Sequence, residues 1–341
     1  MTSSPTASRL TFRDLFRLNP TPGAHHVALR AGISVAVPLL TVIALDHVEW
    51  TLYAAFGAFA ALYGRNRLHR PRALMQLAAG VSLVIAVTFG AITAALDGPG
   101  WLLLVGGAVV ATAGSYASNV MDWHPSGPLF VIFGYGAVAT APGRWEDVPI
   151  ALGISLASAL FAVLVGNVGA YLRKQTAETP APPSHFSRID PLRFFLAVTA
   201  SGSIALAAGI GHPYWAMVAA AAPLTVHGLS HQLLRGTHRI LGTIVGLATA
   251  APLLLLEMSP VLIVLTVVVL QIVTELLVGR NYGLALLFIT PMALLMGQLG
   301  SSRPATDLLL DRGVETAVGV AVAFAIVMAF RSSKQRAAAR I

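Results

Sequence analysis

The sequence predicts an all-α polytopic membrane protein of about twelve transmembrane helices. These form two parallel six-helix repeats related by a pseudo-two-fold axis along the membrane normal. Three observations predict this architecture. The chain of 341 residues is 56% hydrophobic and only 11% charged, far from a soluble composition. Apolar runs of spanning or near-spanning length follow one another almost without pause. The basic residues fall in alternate gaps between those runs, as the positive-inside rule requires.

Taken in order, residues 1–26 are polar and contain no stretch resembling a cleavable signal peptide, so a cytoplasmic N-terminal segment is expected. Within it Arg9, Arg13 and Arg17 share one helical face, with Phe12, Leu15, Phe16 and Leu18 on the other. That pattern predicts a short helix lying on the membrane surface. The first repeat occupies 27–173, with spans at 27–45, 50–64, 73–96, 101–118, 127–141 and 148–172. A cytoplasmic linker, 174–191, leads to the second repeat, 192–330. Its spans are 192–210, 214–228, 237–256, 260–278, 282–298 and 307–330, followed by a basic cytoplasmic tail, 331–341. Several spans are near 15 residues and require thinning, tilt or burial inside the bundle. Pro38, Pro223 and Pro291 fall inside spans and are expected to kink them.

With both termini cytoplasmic, the inner segments hold every one of the 22 basic residues except Arg144, Arg303 and Arg312. The net charge of +8 then reflects topology and contact with anionic lipids, not nucleic acid. The repeat is read from recurring landmarks. Leu29-Arg30 matches Leu192-Arg193, His47–Trp50 matches His212–Trp215, and Asn119 matches Asn281. Arg144–Asp147 matches Arg303–Asp307, which aligns Asp311, Arg312 and Glu315 with the neutral Ala151, Leu152 and Ser155.

That cluster in the last span is the leading candidate site. Asp307, Asp311, Glu315 and Gly319 follow i, i+4 spacing, with Arg312 beside the row. A rise of about 1.5 Å per residue puts Glu315 roughly 12 Å inside the membrane, where a charge needs a partner or a wet cavity. Mutual neutralisation of Arg312 and Glu315 is the structural alternative. His227, His231 and Arg235 form a second row that would draw anions to the cytoplasmic entrance. Two histidines without a nearby carboxylate or cysteine do not make a metal site, and no cofactor is expected. Glu275 is close enough to a span end to snorkel. Trp50, Tyr53, Tyr214 and Trp215 begin spans where interfacial aromatic belts are expected, with stacking on a substrate as the alternative. No nucleophile elbow, phosphate-binding loop or zinc-protease motif appears, so no enzyme activity is expected.

Residues Tyr214–Pro223 and Arg235-Gly-Thr-His-Arg239-Ile-Leu-Gly242-Thr243-Ile-Val-Gly246 resemble the membrane domain of the fusaric-acid-resistance (FUSC) family. Arg312-Gly-Val-Glu-Thr316-Ala-Val-Gly319 resembles that family's closing helix. The resemblance implies kinship with bacterial aromatic carboxylic acid exporters and with plant aluminium-activated malate channels. It implies six spans per repeat, with the large cytoplasmic domain common in the exporters not expected in residues 1–341. Arg239 is expected at the cytoplasmic mouth of its span, and Gly242, Thr243 and Gly246 at a close helix crossing.

The leading expectation is a proton-coupled exporter of organic, above all aromatic, carboxylic acids in the bacterial plasma membrane, working as a monomer or homodimer. Arg312 would pair the substrate carboxylate, Glu315 or Asp311 would carry the proton, and His212, Tyr214, Trp215 and Arg239 would line the pathway. An organic anion channel or uniporter, and a non-transporting scaffold for cell-envelope proteins, are the alternatives.

Overall fold

The computed structural model describes residues 12–65, 67, 69–98, 100–172, 187–300 and 304–330. Among them every regular element is helical. The helices are α1 (Phe12–Leu15), α2 (Ala24–Ala44), α3 (Thr51–Ala58), α4 (His69–Ala95), α5 (Trp101–Val120), α6 (Leu129–Ala139) and α7 (Asp147–Leu172). They continue with α8 (Asp190–Ala207), α9 (Pro213–Leu224), α10 (Leu229–Leu254), α11 (Pro260–Leu277), α12 (Tyr282–Gly300) and α13 (Ala305–Ala329). Short 3-10 turns, Val48–Trp50 and Phe59–Leu62, flank α3.

Each apolar run became one helix, α2 to α13. Eight of them, α2, α4, α5, α7 and α10 to α13, are long and apolar enough to cross a membrane. Their outer faces fit that solvent. Leu152, Leu156, Leu160 and Leu164 form an i, i+4 stripe along α7, each more than 40% exposed. Such a stripe is tolerated against lipid and is a liability in water.

The short helices avoid the length problem by burial. Every residue of α3 and of α9 is buried. Both are apolar around the whole circumference, the pattern of a helix enclosed by others. Small side chains let neighbours approach. A Cβ on Gly57 would collide with the Ser155 carbonyl oxygen of α7, and one on Gly319 would collide with the Ala216 carbonyl oxygen of α9. Interfacial belts are therefore not where Tyr53, Tyr214 and Trp215 lie, since all three are less than 8% exposed inside the bundle.

Ending inside protein leaves the last carbonyls of α3 and α9 without water, so side chains must satisfy them. At the α3 end, Arg30 Nη2 donates to Ala61 O at 3.1 Å and Arg72 Nε to Gly64 O at 3.2 Å. Gln76 reaches Tyr63 O at 3.3 Å. At the α9 end, Arg235 Nε donates to Ala222 O at 3.1 Å and Gln232 Nε2 to Val226 O at 2.9 Å. Cations also suit the negative end of a helix dipole. Arg30 and Arg72 thus have a structural task beyond topology.

Packing is reciprocal between α2–α7 and α8–α13. Helix α2 packs on α11 as α8 packs on α5, α3 on α7 as α9 on α13, and α4 on α6 as α10 on α12. Asn119 Nδ2 donates to Ser187 O, just before α8. Asn281 Nδ2 donates to Leu15 O and Arg17 O, ahead of α2. Of the expected surface helix at the N-terminus, the described residues hold α1, Phe12–Leu15, and Arg9 lies outside them. The end of α1 and the segment after it dock on the bundle: His238 Nε2 also bonds Leu15 O, and Asn19 N donates to Arg280 O.

Candidate functional site

A cavity of about 120 Å³ lies where the end of α3, the start of α6 and helices α10 to α13 meet. Four arginines line it: Arg65, Arg235, Arg239 and Arg312. They come from the α3–α4 connection, from α10 and from α13. Glu275 of α11 is the carboxylate in its lining. Phe59, Phe130, Phe133 and Met292 supply apolar wall, and Tyr282 supplies a phenol.

The arginines are held by different means. Arg65 Nη2 sits 2.5 Å from Glu275 Oε2, and Gln271 Nε2 donates to the other Glu275 oxygen at 3.4 Å. The Arg235 guanidinium lies over the Tyr282 ring, 4.0 Å from its centroid. Arg239 is buried, and its Nη1 donates to Tyr282 Oη at 3.0 Å. Arg312 is 2% exposed, with its guanidinium 4.9 Å from the Trp215 ring. Among the described residues, Nε and Nη1 of Arg312 and Nε and Nη2 of Arg239 are buried without a hydrogen-bond partner. Unmet charged donors are costly in a low-dielectric interior, and the described lining of this cavity sets four guanidiniums against one carboxylate.

Behind Arg312 stands a second layer. His212 stacks on Trp215 with centroids 4.5 Å apart. The His212 backbone N–H donates to Glu315 Oε1 at 3.0 Å, and its ring Nδ1 lies 3.7 Å from Asp311 Oδ2. Glu315 is fully buried and close enough to act on Arg312 electrostatically, as is Arg239. Glu315 and Asp311 therefore anchor the loop before α9 and do not line the cavity, whereas Arg312 and Arg239 do.

Two further cavities extend this one. On one side a narrower space of about 60 Å³ is lined by Leu52, Thr140, His212, Tyr214 and Gly300. It shares Phe59, Phe133, Gln271 and Met292 with the central cavity, so these four residues form the partition. Phe133 is fixed there by Tyr214, stacked at 6.0 Å, and by Phe56, edge-on at 5.0 Å. On the other side, a cavity of about 430 Å³ is lined by Arg17, His231, His238, Arg280 and Asn281. It shares Arg235, Val278 and Tyr282 with the centre.

Several sequence expectations need correction. Arg239 is not at a mouth but is buried on the central cavity. Glu275 does not snorkel; it is buried and paired with Arg65. The row His227, His231, Arg235 is broken, because Gly228 has a φ of 91° and α10 starts after it. His227 turns to Asp190, 3.4 Å away. The internal alignment shifts by nearly one turn. Burial along α7 and α13 coincides when Arg312 is set against Ser155 and Glu315 against Ser158; Leu152 is exposed. The contrast between charged and neutral positions survives the shift. Gly242 and Gly246 do sit at a close crossing, where an added Cβ would lie 2.5 Å from Gly283 O and 2.7 Å from Leu286 O.

Sequence reasoning missed Arg65, Gln271, Glu275 and Tyr282 as members of one site. Their one sequence signal is a polar residue on an otherwise apolar helix, as with Gln271 and Glu275 on α11.

These features define a multi-pass α-helical membrane protein with a cationic internal cavity. Residues 199–326, from α8 to α13, match the family described as fusaric acid resistance protein-like, which bears out the resemblance read from the motifs of that half. The chain is also similar to the uncharacterized membrane protein YvaC of Bacillus subtilis (strain 168), with 30% identity over 132 residues. That match spans 38% of this chain and 21% of the relative's length. No solved structure matches.

Proposed function

We propose that this chain exports organic carboxylates, aromatic acids above all, across the bacterial plasma membrane along a path between α2–α7 and α8–α13. The observation that carries this reading is the central cavity. Arginines from both parts of the chain converge there, four guanidiniums against the one carboxylate of Glu275 among the described lining residues. Phe59, Phe130 and Phe133 offer apolar surface to the rest of such a solute. The reciprocal packing and the two asparagine ties support twelve spans in two repeats around a pseudo-two-fold axis. In such proteins the substrate site lies between repeats near mid-membrane. The basic face with Arg17, Arg65 and Arg280 would be cytoplasmic. The large cavity on that face is then the entrance, and the partition at Phe59, Phe133 and Met292 is the barrier toward the exterior.

The cavities in series also favour a second reading, an organic anion channel with an apolar gate. Efflux from proteoliposomes separates the two. A panel of aromatic and aliphatic acids is followed with and without a pH gradient. An exporter coupled to protons accumulates substrate against its gradient; a channel only equilibrates it. Liposomes whose leak is unchanged by the protein would refute both readings.

A further inference from the structure

Given the reading of the central cavity as an anion path, we propose that the Arg65–Glu275 ion pair is its cytoplasmic latch. A carboxylate opens it by taking Arg65 from Glu275.

Four observations lead there. The pair joins the α3–α4 connection to α11, elements from opposite parts of the chain. It straddles the cavity boundary, since the Arg65 side chain is 25% exposed and that of Glu275 only 5%. Arg65 lies across the end of α11, with Nη1 3.8 Å from the Cβ position of Gly279. Finally, Glu275 is the carboxylate lining the cavity, set against four guanidiniums. It acts as a tethered counter-anion in a site built for a mobile one.

Opening by exchange avoids leaving a bare buried charge. The arriving carboxylate takes over Arg65, and Glu275 keeps Gln271 and the positive field of the other guanidiniums that line the cavity. Breaking the pair without replacement would leave an uncompensated charge, which is strongly unfavourable. Without an anion the latch therefore stays shut, and a futile leak is suppressed.

The test uses the absence of cysteine from the native chain. The Arg65→Cys/Glu275→Cys variant is placed in liposomes, and benzoate efflux is measured before and after its thiols are bridged by a bis-methanethiosulfonate reagent whose spacer matches the reach of the two replaced side chains. A direct disulfide is unsuitable, because it needs Cα atoms within about 7 Å. The unbridged variant is the reference. Bridging lowers its efflux at least tenfold, and a reductant restores it. A purely structural pair would tolerate a bridge of matching length, so bridged protein moving benzoate at the unbridged rate would overturn the latch. If the unbridged variant is silent, the labelling below decides. Should wild type itself move no benzoate, the transport reading falls and the latch is judged separately. Val218, 3% exposed on the cavity wall, is then replaced in a Val218→Cys background and labelled with N-ethylmaleimide in detergent. At least tenfold faster labelling on adding Glu275→Gln supports the latch; an unchanged rate overturns it.

Discussion

Gly319→Ala adds one methyl group to α13 at its tightest contact with α9, two turns beyond Arg312. The new Cβ would strike the Ala216 carbonyl oxygen and lie 2.7 Å from Ala219 Cβ and 2.8 Å from Ala220 N. Ordinary carbon contacts need about 3.5–4.0 Å, so α13 must withdraw by roughly 1 Å. Backbone and a methyl group cannot rotate aside, and overpacking of this kind costs about 1–3 kcal/mol. Withdrawal also carries the Arg312 guanidinium away from Trp215. The matched control is Gly153→Ala on α7, where an added Cβ has nothing within 4 Å. There the better helix propensity of alanine stabilises by about 0.5–1 kcal/mol. Unfolding of the purified protein in mixed micelles measures both, and the two substitutions should move stability in opposite directions. Equal effects would refute the claim that the α9–α13 contact sets the position of Arg312.

Two other outcomes follow from the geometry. Phe133→Ala removes the ring shared by the outer and central cavities, so benzoate efflux should rise and lose any dependence on a pH gradient, as liposome flux assays would record. Asn281→Ala removes the N-cap of α12, where Oδ1 accepts from Leu284 N at 3.0 Å, together with both bonds to the N-terminal segment. It should cost about 0.5–2 kcal/mol and speed trypsin cleavage after Arg17, read by mass spectrometry.

Helix number and order were legible in the sequence because each apolar run is bounded by charge, proline or glycine. The last helix also disclosed Arg312, since a guanidinium among apolar residues has to be accommodated somehow. What could not be read was which helices lie at the centre. Tyr214 and Trp215 begin a span, as belt aromatics do, yet the run Ala219–Ala222 that follows gives α9 no lipid-facing surface and draws it inside. Glu275 and Arg65 are 210 residues apart, so their pairing depends on how α11 packs beside the α3–α4 connection. One partner of Glu315 was hidden for the same reason. It is a backbone N–H, that of His212, and backbone donors leave no trace in side-chain spacing.

The central claim is that Arg312 binds the transported anion and does not merely lock helices. Benzoate binding to purified wild type and Arg312→Gln, read by calorimetry alongside thermal unfolding, tests it most directly. A charge-assisted hydrogen bond contributes about 1.5–3 kcal/mol, so the variant should lose affinity by roughly ten- to one-hundred-fold. Its melting temperature should hold or rise, because an undercompensated buried charge has been removed. Unchanged benzoate affinity would contradict the claim. So would a loss of about 3–5 kcal/mol in stability, the signature of breaking a buried ion pair.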